Sequence, residues 1–223
     1  MAYLIFDFDG TIANTLDVIV QITNRLAPNY GFSPTTPDRL QYFRSLSTHQ
    51  LLEESEIPLF RVPFLLRRVR RELRKEVHLL EPIPQLTRVI HELAAQDHQL
   101  VIASSNSTHN IRHFLQQHSL ETAFGHIHAN IGLLGKTRVL KRIQHRNSLH
   151  PDQMLYIGDE TRDIEAAHRA DIRIAAVSWG FSSRSALKQQ QPSFLLDQPN
   201  ELLRVATRID CDLMATTRQL TAS

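Results

Sequence analysis

Reactive side chains gather at a few points of this sequence. The stretch FDFDGT, residues 6–11, sets Asp7 and Asp9 two positions apart, directly after the apolar run YLIF, and follows them with Gly10 and Thr11. On a strand, residues i and i+2 share a face. Two ionised carboxylates at that spacing repel each other, and burial makes the repulsion worse. A shared proton, a basic residue or a divalent cation must offset it. The plainer alternative is a strand that ends in an ordinary Asp-Gly turn. Further along, Ser104, Ser105, Asn106 and Ser107 follow HQLVIAS, Lys136 stands in GLLGKT, and Asp159, Glu160 and Asp163 follow MLYIG. Carboxylates and a lysine without a ligating histidine suit a hard cation such as Mg²⁺. A lysine and a hydroxyl beside that cation suit a phosphate.

Each of these signals has an ordinary structural alternative. Ser104–Ser107 could be a strand-end turn with a helix N-cap, Lys136 a solvated lysine, and Asp163 a first-turn carboxylate. His109 and His113 share a helix face, but the Glu that would make a zinc-protease motif is absent after His109. GLLGKT lacks the leading glycine of a nucleotide-binding loop. The order and spacing of the whole set carry the argument.

The elements that must position these residues alternate. YLIFDF (3–8), HQLVIAS (98–104), MLYIGD (154–159) and RIAAVSW (173–179) read as buried strands, with HIHAN (126–130) a weaker fifth. Helical spacing runs through 84–96, 108–118, 136–146 and 162–170. Strands alternating with helices of this length predict an α/β fold, a Rossmann-like parallel sheet. In such a sheet ligands bind beyond the carboxyl ends of the strands, where all the residues above fall. Residues 15–82 break the rhythm with helical patterns alone, which predicts a helical insertion bounded by Pro82 and Pro84. The polar stretch KQQQPS (188–193) reads as a loop.

Composition bounds the rest. The chain has 223 residues, 42% hydrophobic and 22% charged, with a formal net charge of +2. That charge is too small to argue for nucleic acid, although RRVRRELRKEV (67–77) concentrates arginine on an amphipathic helix. Those arginines read as a solvated face, or as an attractor for an anionic substrate. Arg44, in YFRSLSTHQ, is a second insertion residue that could face the core. The single cysteine excludes an intramolecular disulfide framework. No apolar run reaches the length of a membrane span, and no signal peptide is evident at the N-terminus. A cytoplasmic location and no membrane partner are therefore expected.

On these motifs the chain resembles the haloacid dehalogenase superfamily of phosphohydrolases. DFDGT resembles its first motif, VIASSNS its second with Ser104 in the Ser/Thr position, Lys136 its third, and IGDETRD its fourth. The insertion sits where a C1-type cap belongs, as in the phosphoglycolate phosphatase and β-phosphoglucomutase relatives. The implied division is a discontinuous core, 1–14 and 83–223, around a helical cap, 15–82, with residues from about 206 extending beyond the motifs. The resemblance implies Asp7 as nucleophile, Asp9 as general acid and base, and Ser104 and Lys136 holding phosphoryl oxygens. Thr11, Ser105, Asn106 and Arg44 are further candidates for binding substrate. Mg²⁺ would be held by Asp7, Asp9 (through its backbone carbonyl), Asp159 and Asp163. An acid at position 9 favours a phosphate ester over a haloacid. The expected activity is a Mg²⁺-dependent phosphatase for a small phosphorylated metabolite, as monomer or homodimer. The alternatives are a phosphomutase on the same residues, or a silent binding protein on the same fold.

Overall fold

The computed structural model describes residues 1–221. Its centre is a six-stranded parallel sheet. The strands are β1 (Tyr3–Phe6), β2 (Gln99–Ala103), β3 (His126–His128), β4 (Met154–Gly158), β5 (Arg173–Val177) and β6 (Phe194–Leu196), in the order β3-β2-β1-β4-β5-β6. From β1 the chain builds outward on one side and then returns to build outward on the other. The order therefore reverses beside β1, and that is where a doubly wound sheet opens a crevice.

Strands buried on both faces read as continuous apolar runs. β1 and β4 are buried at every residue, and the alternate side chains enter two different cores. Leu4, Phe6, Leu100, Ile102, Leu155 and Ile157 face one; Tyr3, Ile5, Val101, Met154, Tyr156 and Ile174 face the other. The first core is covered by α5 (Leu86–Ala95), α6 (Thr108–Gln117) and α10 (Glu201–Thr221), through Val89, Ile90, Phe114, Leu202 and Ile209. The second is covered by α7 (Lys136–Arg146), α8 (Thr161–Ala170) and α9 (Arg184–Gln189), through Leu140, Ile143, Ile164, Ala167 and Leu187.

Between β1 and β2 the described chain forms helices and connecting loops. It contains α1 (Leu16–Tyr30), α2 (Pro37–Arg44), α3 (Thr48–Glu54) and α4 (Val62–Glu76), with single 3₁₀ turns at Leu59–Arg61 and Val77–Leu79. α4 buries Leu65, Val69 and Leu73, one residue per turn, and packs on α1. The two crossings between this segment and the sheet run side by side. Asn14 donates its amide to Glu81 O at 2.9 Å, and Ile83 donates to Ile12 O at 2.9 Å.

The structure corrects the sequence expectations at several points. β1 stops at Phe6 rather than continuing to residue 8. β6, at the edge of the sheet, is only partly apolar in its surroundings and was not foreseen. Lys188 and Gln189 close α9 instead of lying in a loop. Beyond the motifs, α10 continues past residue 206 and buries Ala206 and Ile209 fully against the core. The final two residues of the expected core range, 222–223, lie outside the described residues.

Candidate active site

The strand register brings the reactive residues together. Phe6 pairs with Ile102 on one side and Ile157 on the other, so Asp7, Ser104 and Asp159 leave the sheet at one end. Asp7 prolongs the ladder by one bond, donating its amide to Ile157 O at 2.8 Å. Its Oδ1 accepts from the Phe8 amide at 2.7 Å, and its Oδ2 accepts from Lys136 Nζ. Lys136 opens α7 and is 2% exposed; the same ammonium donates to Asp163 Oδ1. Asp163, in the first turn of α8, also accepts from Tyr156 Oη at 3.2 Å and from the Glu160 amide at 3.1 Å. Asp159 is fully buried; its Oδ1 accepts from Thr11 Oγ1 and its Oδ2 from the Phe181 amide, each at 2.7 Å. Carboxylate oxygens of Asp7, Asp159 and Asp163 all lie within 4.8 Å of one another.

Asp9 belongs to a second arm of the site. Asn106 Nδ2 donates to both its carboxylate oxygens, at 2.9 and 3.1 Å. Asn106 Oδ1 in turn accepts from the Ser107 amide at 2.7 Å and from Asn110 Nδ2 at 2.9 Å. Ser104 Oγ accepts from the Asn106 amide at 3.1 Å, which leaves its own O–H as a donor. The two carboxylates that are close in sequence thus have different partners: a cation for Asp7, an amide for Asp9.

Backbone geometry makes room for this packing. Gly10 has φ +73°, in the left-handed region that favours glycine, and an added Cβ there would fall 2.2 Å from Asp159 Oδ2. Gly180 also lies against Asp159, where a Cβ would fall 2.2 Å from Asp159 Oδ2 and 2.4 Å from Asp159 Cβ. Neither position can carry a side chain unless Asp159 moves.

Burial sets the electrostatics. It lifts the Asp159 carboxyl well above its ordinary value, and the neighbouring Glu160, Asp163 and Asp7 charges lift it further. Burial also raises Asp7, against the opposing pull of Lys136. Asp9 is pushed up to about 7, first by burial and then by the Asp7 charge, while its hydrogen bond from Asn106 works the other way. Burial pulls the Lys136 ammonium down, but Asp163 and Asp7 overcome this and hold it above its ordinary value. Arg162 is gripped by Glu160 through two hydrogen bonds of 2.6 Å, and that partner outweighs its burial and keeps it charged.

Two candidate residues bond to other parts of the protein. Thr11 is fully buried and its hydroxyl donates to Asp159 Oδ1, so in this structure it holds an acid. Arg44 reaches from α2 to the core, where Nε donates to Phe181 O at 3.1 Å and Nη2 to Gly180 O at 2.9 Å. It braces the loop that donates to Asp159. Ser105 is partly exposed beside Ser104. His109 and His113 are exposed, with ring centroids 6.2 Å apart, and belong to no group of potential metal ligands among the described residues. Tyr156, Asn110, Arg162 and Gly180 were missed. Tyr156 and Asn110 look like core and helix-face residues in the sequence, and only the fold turns their polar atoms into the site.

The acids suit a divalent cation. If Asp7, Asp159 and Asp163 are all ionised, Lys136 neutralises one of the three charges and an excess of two remains, while Arg162 is matched by Glu160. The donors are all carboxylate oxygens, the chemistry of a hard cation.

Comparison with known proteins identifies the family. Residues 4–177 match the family model described as haloacid dehalogenase-like hydrolase. A phosphoglycolate phosphatase of Synechococcus elongatus is 34% identical over 209 residues, covering 94% of this chain and 99% of the relative. Among solved structures, a predicted phosphatase from Clostridium acetobutylicum superposes with a TM-score of 0.78 at 18% identity, covering 93% of this chain and 98% of the other. A haloacid dehalogenase-like family hydrolase from Streptococcus pneumoniae gives 0.72 at 18% identity, covering 92% and 98%. No described helix is long and apolar enough to cross a membrane.

Two outcomes follow from the buried acids. Asp159 keeps its proton to a higher pH when folded than when unfolded, so the cation-free protein loses stability as pH rises from about 4 through the raised value. A cation bound to the ionised acids removes that loss. The rise in melting temperature caused by a divalent cation should therefore grow with pH, reaching about 5–10 °C at a hundredfold excess over its Kd. Differential scanning calorimetry across pH checks this; a cation effect that does not vary with pH contradicts it. Gly180→Ala should displace Asp159 and weaken divalent-cation affinity by about tenfold or more, read by titration calorimetry.

Proposed function

This chain belongs to the haloacid dehalogenase-like hydrolase family and is a phosphohydrolase; from that premise we propose that it is a Mg²⁺-dependent phosphatase that cleaves a small phosphate monoester through an aspartyl-phosphate on Asp7. The observation that carries this reading is the meeting of Asp7, Lys136, Asp159 and Asp163 with Ser104 at one sheet edge, with Asp9 held apart on its own amide. Mg²⁺ would be held by Asp7, Asp159, Asp163 and the Asp9 carbonyl. When bound, it would supply positive charge to the phosphoryl oxygens.

The protein groups divide the remaining work. Asp7 has both oxygens fixed by Lys136 and the Phe8 amide, so its orientation is set before substrate arrives. Its carboxylate attacks phosphorus, and the bond from phosphorus to the ester oxygen breaks. The Asp9 carboxyl gives its proton to that leaving oxygen. Ionised Asp9 then takes a proton from water, whose oxygen attacks phosphorus and releases orthophosphate, regenerating Asp7. Ser104 and Lys136 donate to the phosphoryl oxygens as their charge develops.

Residues 15–82 act as a cap over the body formed by 1–14 and 83–223 in this reading. Arg44 and the Thr48 amide, which donates to Thr161 Oγ1 at 2.9 Å, are the contacts through which the cap meets the loops around Asp159. Closure there would exclude water from the phosphoryl group. The first substrate to assay is 2-phosphoglycolate, after the Synechococcus relative.

Asp7→Asn is nearly isosteric and should lower turnover by at least about 10³-fold while leaving the circular dichroism spectrum unchanged. Retained phosphate release in that variant would remove Asp7 from the nucleophile role. The protonated fraction of Asp9 falls as pH rises through about 7. The kcat/KM for an alkyl phosphate, whose leaving group needs that proton, should therefore decline on the alkaline side of about pH 7. The decline should be weaker for p-nitrophenyl phosphate, whose leaving group needs none. Identical alkaline limbs for the two esters would rule out Asp9 as the acid.

A further inference from the structure

The geometry points to Arg44 as a positioning residue for the acid cluster, and we propose that it links the seating of the helical insertion to divalent-cation affinity through residues 180–183, so that each favours the other. The inference rests on the cation reading of Asp7, Asp159 and Asp163 and deepens it. It does not depend on which ester is cleaved.

Residues 180–182 lie between β5 and α9 and belong to no helix or strand, so bonds to other segments fix their course. Toward the site, the Phe181 amide donates to Asp159 Oδ2 at 2.7 Å and the Ser182 amide to Asp159 O at 3.2 Å. Toward the insertion, Gly180 O and Phe181 O accept from the Arg44 guanidinium, and the Ser183 amide donates to Arg44 O at 2.6 Å. Successive residues of one short segment are thus shared between one acid and one arginine. Little slack separates them. A Cβ at Gly180 would fall 2.2 Å from Asp159 Oδ2, and one at Gly10 would fall 2.5 Å from Phe181 Cδ2. In packing this tight, a shift of the segment reaches the carboxylate instead of being absorbed.

The same stretch of the insertion bears on a second acid. The Thr48 amide donates to Thr161 Oγ1 at 2.9 Å, the two hydroxyl oxygens lie 3.3 Å apart, and Thr161 opens α8 two residues before Asp163. Arginine suits the first contact because its planar fork addresses two carbonyls at once, whereas an ammonium is a compact point charge. Arg39, on the same helix, spends its guanidinium inside the insertion, on Glu56 at 3.0 Å. A cation holds Asp159 in the place where the 180–183 segment also holds it. By linkage, the factor by which a seated insertion raises cation affinity equals the factor by which the cation favours seating. Hydrogen bonds that orient metal-binding carboxylates are worth about tenfold or more in affinity.

Calorimetric titration of the whole protein with Mg²⁺, without substrate, tests the proposal. Arg44→Gln should weaken Mg²⁺ binding by about tenfold, and Arg44→Lys by less. Arg39→Gln, whose partner lies within the insertion, should change it by less than about twofold. Hydrogen exchange gives the reciprocal reading: Mg²⁺ should slow exchange of the α2 amides in the wild type and leave it unchanged in Arg44→Gln. Wild-type affinity in a folded Arg44→Gln overturns the linkage, as does α2 exchange that ignores Mg²⁺ in the wild type. Equal losses in Arg39→Gln and Arg44→Gln also overturn it, because they mark general loosening of the insertion. If Arg44→Gln does not fold, Arg44→Lys and the wild-type exchange carry the same test, and undiminished affinity in Arg44→Lys counts against the linkage. A wild type that binds no Mg²⁺ overturns the cation reading and the inference with it; each of the other contrary results leaves that reading standing.

Discussion

The site depends on the burial of three carboxylates close together. Asp7, Asp159 and Asp163 are almost wholly removed from water, and one ammonium, Lys136, lies between two of them. Removing a carboxylate from water is costly unless it is paired and hydrogen-bonded. The surrounding donors answer part of that demand: Thr11 and Phe181 for Asp159, Tyr156 and Glu160 for Asp163, Phe8 for Asp7. Were all three acids ionised, a net negative charge would remain, and carboxylate oxygens with such a charge are the chemistry that suits a divalent cation. The same environment that makes three ionised acids unfavourable together favours a positive charge among them.

That constraint explains the surroundings of Asp159. Gly10 and Gly180 both lie close against the Asp159 carboxylate, and Trp179 Nε1 donates to Thr11 O at 3.2 Å, which keeps the Gly10–Thr11 turn in place. Arg44 then fastens the 180–181 carbonyls from the insertion. An acid that must stay within reach of two others is held by packing on every side, and the insertion supplies one of those restraints. The helical segment between β1 and β2 is thereby tied, through Arg44, to the loop that donates to Asp159.

Asp7 and Asp9 also illustrate how two identical side chains acquire different chemistry from their environments. Asp7 is oriented by a charge and a backbone amide, Asp9 by a neutral amide. Lys136 draws the first toward its ionised form against a burial that still raises it; the second is pushed up to about 7.

The alternation of apolar runs and amphipathic helices, and the placement of Asp7, Ser104, Lys136 and Asp159 at element ends, were readable from the sequence because burial on two sheet faces and helical periodicity are local patterns. The short edge strand β6 was not, because an edge strand has few buried residues to mark it. The continuation of α10 past residue 206 escaped for a related reason, since its buried residues are spaced among polar ones. Motif order was enough to assemble the acids and the lysine as a set. It could not tell that Thr11 serves Asp159, that Arg44 reaches the 180–181 loop, or that Asn110 joins Arg70 to Asn106. Those bonds link residues far apart in the chain, and their partners are chosen by the parallel register and by where the insertion settles on the core. Local spacing determined which chemistry is present; long-range packing decided which group each side chain serves, because hydrogen-bond partners and burial exist only once distant segments meet.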